Sequence, residues 1–117
     1  MKVLIVDDDP VLNEINQQIF LTIGVESDLA SSGNEAFKLF SSNSYDLVLS
    51  DIRMPDGDGI DLLKRIRAIS DIPVILLTGM SDLEESELKA LGANAVLNKP
   101  VQIDTLIDLA ESVSQKS

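Results

Sequence analysis

The chain has 117 residues, which suits one domain with its own core, and its 44% hydrophobic content is that of a globular protein. Nine basic residues against 20 acidic ones give a formal net charge of −11, and this field repels nucleic acid and acidic membrane surfaces. The chain contains no cysteine and no histidine, so thiol chemistry, soft-metal sites and histidine acid–base catalysis are excluded, and any metal would be a hard cation bound by oxygen.

Strand and helix patterns alternate along the chain. Short β-branched and apolar runs predict buried strands, and apolar residues at helical spacing predict the helices between them. Asp9 and Pro10 fit the N-cap and the first residue of the first helix, and Gly24 marks its end. In chain order the predicted elements are strand 2–6, helix 10–23, strand 25–30, helix 35–40, strand 46–50, helix 59–69, strand 73–78, helix 81–92, strand 94–98 and helix 103–113.

This alternation of central apolar strands with amphipathic helices predicts an α/β protein. The expected architecture is a parallel sheet covered by helices on both faces. One domain is expected over residues 1–117. The pattern alone does not give the order of the strands.

Polar side chains collect where the predicted strands end. Asp7 and Asp8 follow the first strand, Asp51 the third, Thr78 the fourth and Lys99 the fifth, whereas the second is followed only by serines. In open parallel sheets, ligands bind outside the carboxyl ends of the strands, at the point where the strand order reverses. The sequence therefore predicts a site at this edge of the sheet.

Four motifs carry a resemblance to a known family. In order, "VDDDP" (6–10), "LVLSDIRMPDGDG" (47–59), "VILLTG" (74–79) and "LNKP" (97–100) resemble the receiver domain of two-component response regulators. The resemblance covers essentially the whole chain. It implies a flavodoxin-like, doubly wound (βα)5 three-layer sandwich with a parallel five-stranded sheet of order 2-1-3-4-5.

The resemblance also implies a role for each polar residue. Asp51 would accept a phosphoryl group, while Thr78 and Lys99 would bind its oxygens. The implied ligands of Mg²⁺ (or Mn²⁺) are the side chains of Asp7, Asp8 and Asp51 and the backbone carbonyl of Arg53. The peptide bond between Lys99 and Pro100 is expected to be cis.

Electrostatics supports a cation among these acids. Two carboxylates about 4 Å apart repel by roughly 4 kcal/mol at an effective dielectric constant near 20. Without a cation, three of them together would raise their pKa values or loosen the fold. The turn "RMPDGDG" would bring a carbonyl to the metal, with Gly57 and Gly59 giving its backbone the necessary freedom.

The implied function is a switch in a two-component or phosphorelay system. A sensor histidine kinase or a histidine phosphotransfer protein would supply the phosphoryl group. The surface of the fourth helix, fifth strand and fifth helix (81–113) would then present the change to a downstream output protein or effector domain. We expect no effector domain within these 117 residues, and the pattern fits either a stand-alone regulator or one domain of a longer protein. The expected protein is a cytoplasmic monomer or weak dimer without nucleic-acid or membrane contacts, and not a multiple-turnover enzyme.

Two positions depart from the family pattern. Val96 stands where the family often has the aromatic ring that turns inward on activation, so that mode of switching is excluded, and Val101 stands where phenylalanine is common. Arg53 and Met80 occupy the positions that, by the resemblance, flank the route of the attacking water, and the bulky Met80 side chain would hinder hydrolysis. We predict that Met80→Ala shortens the lifetime of the phosphoryl group in a timed dephosphorylation assay.

Several alternatives stay open at this point. Asp7 to Asp9 could merely cap a helix, although Asp51 at a matching strand end favours a site. "DGDG" does not fit a calcium loop, because the first and twelfth positions would be Met54 and Arg65. A phosphohydrolase of the haloacid-dehalogenase type fits "DDDPV" but lacks the further acidic pair and a cap domain. A receiver-like domain that binds a partner without phosphorylation is the third alternative.

Overall fold

Five parallel strands form the centre of the molecule, and a helix follows each of them in the chain. The computed structural model describes residues 1–79, 84–99 and 101–115. The elements are β1 (Lys2–Val6), α1 (Pro10–Leu21), β2 (Glu26–Ala30), α2 (Gly33–Ser42), β3 (Leu47–Asp51), α3 (Gly59–Arg67), β4 (Val74–Thr78), α4 (Glu85–Ala90), β5 (Ala95–Asn98) and α5 (Ile103–Gln115). Within those described ranges, no helix is long and apolar enough to cross a membrane.

The strands lie in the order β2-β1-β3-β4-β5, and every pair is parallel. The predicted flavodoxin-like α/β fold and its strand order are therefore confirmed. Val6 at the end of β1 is paired with Ala30 of β2 on one side and with Ser50 of β3 on the other. The order of connection reverses between β1 and β3, so a crevice opens where these two strands end.

The alternation of side chains along each strand divides the core into two clusters. One lies under α2, α3 and α4, and the other under α1 and α5. Leu4, Val48 and Leu76 point into the first cluster, whereas their strand neighbours Ile5 and Leu49 point into the second. The helices thus cover both faces of the sheet, as the apolar strand pattern predicts.

The ends of several elements differ from their predicted positions for local reasons. Helix α2 begins at Gly33 rather than at residue 35, because Ser32 is its N-cap and accepts a hydrogen bond from the amide of Glu35 over 3.1 Å. Helix α1 starts at Pro10 as predicted but ends at Leu21, because the chain turns away at Gly24 (φ 74°) and the amide of Val25 donates back to the carbonyl of Phe20 over 3.0 Å.

A polar contact joins the edge strand β2 to the segment before β3. Tyr45 Oη donates a hydrogen bond to Asp28 Oδ2 over 2.7 Å, and Lys2 Nζ lies 3.1 Å from the same oxygen. The hydrogen bond from Tyr45 lowers the pKa of the Asp28 carboxyl below its ordinary value. Burial, together with the charge of Asp28, raises the pKa of the Tyr45 hydroxyl. The same ring is stacked on Phe40 and is buried in the first core cluster.

Replacing the hydroxyl of Tyr45 tests this contact. Tyr45→Phe is expected to lower the free energy of unfolding by about 1 kcal/mol at pH 7, because the ring still packs while the carboxylate loses one hydrogen bond. The folded-state pKa of Asp28 is lowered, so its contribution is present above the ordinary value of 3.8 and is lost as pH falls through the folded-state value. Urea unfolding of the wild type and of Tyr45→Phe at pH 7 and near pH 3 measures the difference in their free energies of unfolding. A difference of the same size at both pH values would contradict a role for the ionised Asp28 carboxylate.

Candidate functional site

The polar residues singled out in the sequence meet at the carboxyl edge of the sheet. Asp51 is the last residue of β3, so the strand itself fixes its backbone, and Asp7 follows β1 directly. Thr78 is the last residue of β4, and Lys99 follows β5. Four neighbouring strands therefore deliver these side chains to one crevice.

Three carboxylates converge in this crevice. Asp7, Asp8 and Asp51 each place an oxygen within 4.8 Å of the others. Asp7 is 3% exposed and Asp51 8% exposed, whereas Asp8 faces solvent. Anionic oxygens held this close repel one another unless a cation lies among them, and such a donor set is the one that a hard divalent cation prefers. The residues present therefore fit a magnesium ion.

The backbone around Asp7 is fixed by a residue that the sequence did not single out. Asn13 is buried on α1, and its side-chain amide donates to the carbonyls of Asp7 and Ala30 over 2.9 and 3.0 Å. The amide of Asp9 donates to Asp7 Oδ1 over 2.9 Å, which orients the carboxylate. No sequence pattern signalled this role, because Asn13 does not occupy one of the apolar positions 12, 15, 19 and 23 of the predicted helix. Asp9 is also the predicted N-cap of α1, accepting from the amides of Val11 and Leu12.

The Asp51 carboxylate is oriented by its own chain neighbours. The amide of Ile52 donates to Asp51 Oδ1 over 2.9 Å and lies 3.1 Å from the carbonyl of Leu77 in β4. Burial raises the pKa of the Asp51 carboxyl, and the nearby charge of Lys99 only partly offsets this effect. The carboxylate is thus poorly solvated, which favours reaction with an electrophile or binding of a cation.

Lys99 bridges two of the acids. Its Nζ lies 3.0 Å from Asp7 Oδ2 and 3.2 Å from Asp51 Oδ2. Burial disfavours the charge on Lys99, but the hydrogen bonds to Asp7 and Asp51 outweigh it, so the pKa of Lys99 is raised. The ammonium group is therefore charged at neutral pH and lies within reach of any anion bound at Asp51.

A cleft of about 190 Å³ lies over Asp51. Its walls are formed by Asp51, Ile52, Arg53, Thr78, Gly79 and Lys99. Thr78 Oγ1 is buried and has no hydrogen-bond partner among the residues that the structure describes. A buried hydroxyl without a partner is costly, so this group is suited to donate to a ligand in the cleft.

The loop that follows Asp51 passes very close to the start of α3. The amide of Gly59 donates to the carbonyl of Ile52 over 2.8 Å. A Cβ atom at Gly59 would lie 2.2 Å from the carbonyl oxygen of Asp51, so no other residue fits here without movement of the backbone. Arg53, whose backbone carbonyl is an expected metal ligand, lies in this loop and lines the cleft.

Two expectations concern residues outside the described part of the chain. These are the cis bond at Pro100 and the effect of Met80 on hydrolysis, and both stay predictions. Val96 lies in β5 and packs, partly buried, against the first core cluster. An aliphatic side chain at this place cannot turn a ring inward, so any switching motion must involve other groups.

Comparison with known proteins decides the family. The family model described as the response regulator receiver domain matches residues 3–111. The chain belongs to this family. Receiver domains are signalling domains of two-component systems, and they act together with histidine kinases and output domains. The haloacid-dehalogenase alternative is thereby set aside.

Similar receivers are known from several bacteria. The chain is 31% identical to the regulatory protein VanRB of Enterococcus faecalis over all of this chain and 54% of VanRB. It matches the receiver domain of a Francisella response regulator with a TM-score of 0.92 and 34% identity, covering 98% of this chain and 97% of that one. It matches response regulator TrrA of Thermotoga maritima in complex with Mg²⁺ and BeF, with a TM-score of 0.86 and 34% identity over 96% and 97% of the two chains.

The match to longer proteins is partial. The chain spans about half the length of curated relatives such as VanRB and YclJ, and a smaller share of others, down to 11% of the sensor histidine kinase RcsC. The receiver domain is therefore the part that they share.

Proposed function

We propose that this receiver domain accepts a phosphoryl group on Asp51 and depends on Mg²⁺ (or Mn²⁺) to do so. One observation carries the proposal. The Asp51 carboxylate lies at the base of a cleft whose walls contain the unpartnered hydroxyl of Thr78 and the ammonium group of Lys99, beside two further acids. This arrangement offers a nucleophile, donors for phosphoryl oxygens and a set of cation ligands at one place.

The side chains of Asp7, Asp8 and Asp51 and the backbone carbonyl of Arg53 would hold the cation. When bound, the cation would neutralise the crowded carboxylates and the incoming phosphoryl oxygens. Support comes from the convergence of the three acids and from the Mg²⁺ and BeF complex of the similar protein TrrA.

The residues of the chain would act as follows. A carboxylate oxygen of Asp51 forms the bond to phosphorus while the bond from phosphorus to the donor nitrogen breaks, and the electron pair of that bond leaves with the donor imidazole. The amide of Ile52 restricts rotation of the Asp51 carboxyl group during this transfer. Lys99 moves from the carboxylates to a phosphoryl oxygen, and the Thr78 hydroxyl donates to another.

A groove beside the site offers a contact surface for the phosphoryl donor. It has a volume of about 450 Å³, and Asp7 and Lys99 form part of its wall. The remaining lining is apolar except for Asn16 and comes from α1, β4, Val101 and the first residue of α5. Ile15 and Ile103 in this groove are about half exposed, at 49% and 55%. We place a sensor histidine kinase or a histidine phosphotransfer protein here, since an apolar surface adjoining the acceptor suits a transient partner.

The output surface would be formed by the fourth helix, the fifth strand and the fifth helix, and it adjoins the groove for the phosphoryl donor at Ile103. The amide of Lys99 donates to the carbonyl of Thr78 over 2.8 Å, so the two phosphate-binding residues are joined through their backbones. Helix α4 buries one of its six residues, Leu88, and is therefore weakly attached to the sheet. A shift in the surface 81–113 would be recognised by an output protein or effector domain.

Other expectations from the sequence remain predictions. They are a single turnover of phosphorylation rather than enzymatic turnover, a monomer or weak dimer, a cytoplasmic location, and a domain spanning 1–117.

Phosphorylation with a small-molecule donor tests the proposal. The protein is incubated with acetyl phosphate in Mg²⁺ and, in parallel, in EDTA, and the modified residue is located by mass spectrometry. One phosphoryl group on Asp51, formed only with Mg²⁺, is expected. Modification elsewhere, or no modification and no response to beryllofluoride, would contradict the proposal and support a domain that binds its partner without phosphorylation. Continuous release of phosphate would indicate a hydrolase.

A further inference from the structure

Two turns beside the site are joined by several short polar contacts. The amides of Gly33 and Asn34 donate to the carbonyls of Gly57 and Asp56 over 2.8 and 3.2 Å. The Asn34 side-chain amide donates to Asp56 Oδ1 over 2.8 Å, and Ser32 Oγ donates to the other carboxylate oxygen over 3.3 Å. We call residues 32–34 together with 56–57 the turn clamp. It connects the start of α2 to the loop that leads from Asp51 to α3.

The backbone of the turn clamp adopts a conformation that is costly by itself. Asp56 has φ 58°, and it is the one non-glycine residue with positive φ in the described ranges. A left-handed conformation costs an ordinary L-residue ~1 kcal/mol, somewhat less for aspartate. A Cβ atom at Gly33 would lie 2.6 Å from the carbonyl oxygen of Gly57, so the two turns meet only because glycine is present. The contacts therefore hold a geometry that the loop would otherwise leave.

Both polar atoms of the Asn34 side chain, Nδ2 and Oδ1, form hydrogen bonds. While its amide nitrogen donates to Asp56, its Oδ1 accepts a hydrogen bond from Arg65 Nη1 over 2.8 Å. The guanidinium group of Arg65 lies 4.2 Å from the centre of the Phe37 ring, so it is itself held in place. Asn34 thus connects α3 to the loop that precedes it.

We propose that Asn34 and Asp56 are positioning residues for the metal-binding end of the site. The inference rests on the proposed function, in which the backbone carbonyl of Arg53 is a ligand. The loop is fixed at its start by the two hydrogen bonds of the Ile52 amide, and the turn clamp fixes it again at Asp56. Arg53 lies between these two anchors. Without the side-chain contacts of Asn34 and Asp56, only backbone hydrogen bonds would hold the second anchor, so the carbonyl of Arg53 would be positioned less firmly. Groups that orient metal ligands commonly change metal affinity when they are removed.

Titration of the protein with Mg²⁺ by calorimetry tests the inference without any phosphorylation step. Asn34→Ala changes no charge, and it is expected to weaken Mg²⁺ binding about tenfold. Asp56→Gly allows the left-handed backbone but removes the carboxylate, and it is expected to weaken binding similarly. Asp56→Asn keeps both an acceptor for Asn34 and a residue that tolerates positive φ, so its affinity is expected within about twofold of the wild type. The double variant Asn34→Ala with Asp56→Gly is expected to bind no more weakly than either single variant.

The outcomes are distinguishable. Urea unfolding of each variant shows whether it is folded under the titration conditions, so an altered affinity cannot result from unfolding. Unchanged Mg²⁺ affinity in Asn34→Ala would overturn the inference. Equal weakening in Asp56→Asn and Asp56→Gly would also overturn it, because the effect would then come from the lost charge. The wild type is titrated first, and a failure to bind Mg²⁺ there would overturn the proposed function itself.

Discussion

Asp51→Asn is expected to abolish phosphorylation by acetyl phosphate, lowering the rate by at least ~100-fold, to below detection. An asparagine side chain has nearly the same shape but offers no anionic oxygen to attack phosphorus. The side chains of Lys99 and Thr78 cannot replace it, since one is a cation and the other a poorly nucleophilic hydroxyl. Incorporation of the phosphoryl group, measured by intact mass over time, gives the result. Asp46→Asn, which removes an acid outside the cleft, is the matched control and is expected to be modified at the wild-type rate.

The loss of phosphorylation in Asp51→Asn is not expected to result from unfolding of the variant. Burial raises the pKa of the Asp51 carboxyl above its ordinary value of 3.8, and Lys99 only partly counteracts this. A carboxyl group with a raised folded-state pKa costs stability as pH rises above the unfolded-state value and through the folded-state value. Asp51→Asn carries no such charge, so we expect it to unfold in EDTA at a urea concentration equal to or above that of the wild type. A clearly lower urea midpoint for Asp51→Asn than for the wild type would show that the buried carboxylate does not destabilise the folded protein.

Gly59→Ala is expected to lower the free energy of unfolding by ~3 kcal/mol, the upper part of the range for overpacked sites. The added Cβ would lie 2.2 Å from the carbonyl oxygen of Asp51 and 2.9 Å from Cα of Ile52. Both neighbours are backbone atoms, so neither can turn aside as a side chain would. The same displacement would disturb the Asp51 carboxylate, and phosphorylation is expected to slow in the fraction that remains folded. Urea unfolding measures the first effect, and acetyl phosphate labelling measures the second.

Gly79→Ala provides the matched control for this effect. Apart from its chain neighbours, no atom of the residues that the structure describes lies within 4 Å of a Cβ built at Gly79, and its φ is outside the left-handed range. Its free energy of unfolding is expected to stay within about 0.5 kcal/mol of the wild type. If Gly59→Ala proved as stable as Gly79→Ala, the close approach between α3 and the end of β3 would not constrain the fold.

The sequence predicted the sheet and its edge because the relevant signals are local. Runs such as 2–6 and 73–78 have a length and composition typical of a buried strand between turns, and the residue after each run then lies at the carboxyl edge. The strand order, by contrast, came from resemblance, since the pattern does not say which strand lies beside which. The predicted ends of elements were wrong where a capping residue sets the first helical residue, as Ser32 does for α2.

The parts of the site that the sequence did not predict are contacts between distant segments. Asn13 supports Asp7 only because α1 packs over β1, and Asn34 meets Asp56 only because two turns lie side by side. Neither residue belongs to a pattern with a chemical meaning of its own. The bridging position of Lys99 between Asp7 and Asp51 likewise depends on the lengths of β1, β3 and β5 together.

The hydrogen bond between the backbones of Thr78 and Lys99 limits how the domain can respond to a bound anion. A pull on either residue is transmitted to the other, because the peptide of one donates directly to the carbonyl of the other. Thr78 and Lys99 would therefore move in concert rather than in turn. In the proposed switch, α4 and α5, which follow these two residues in the chain, would respond together to a single bound anion.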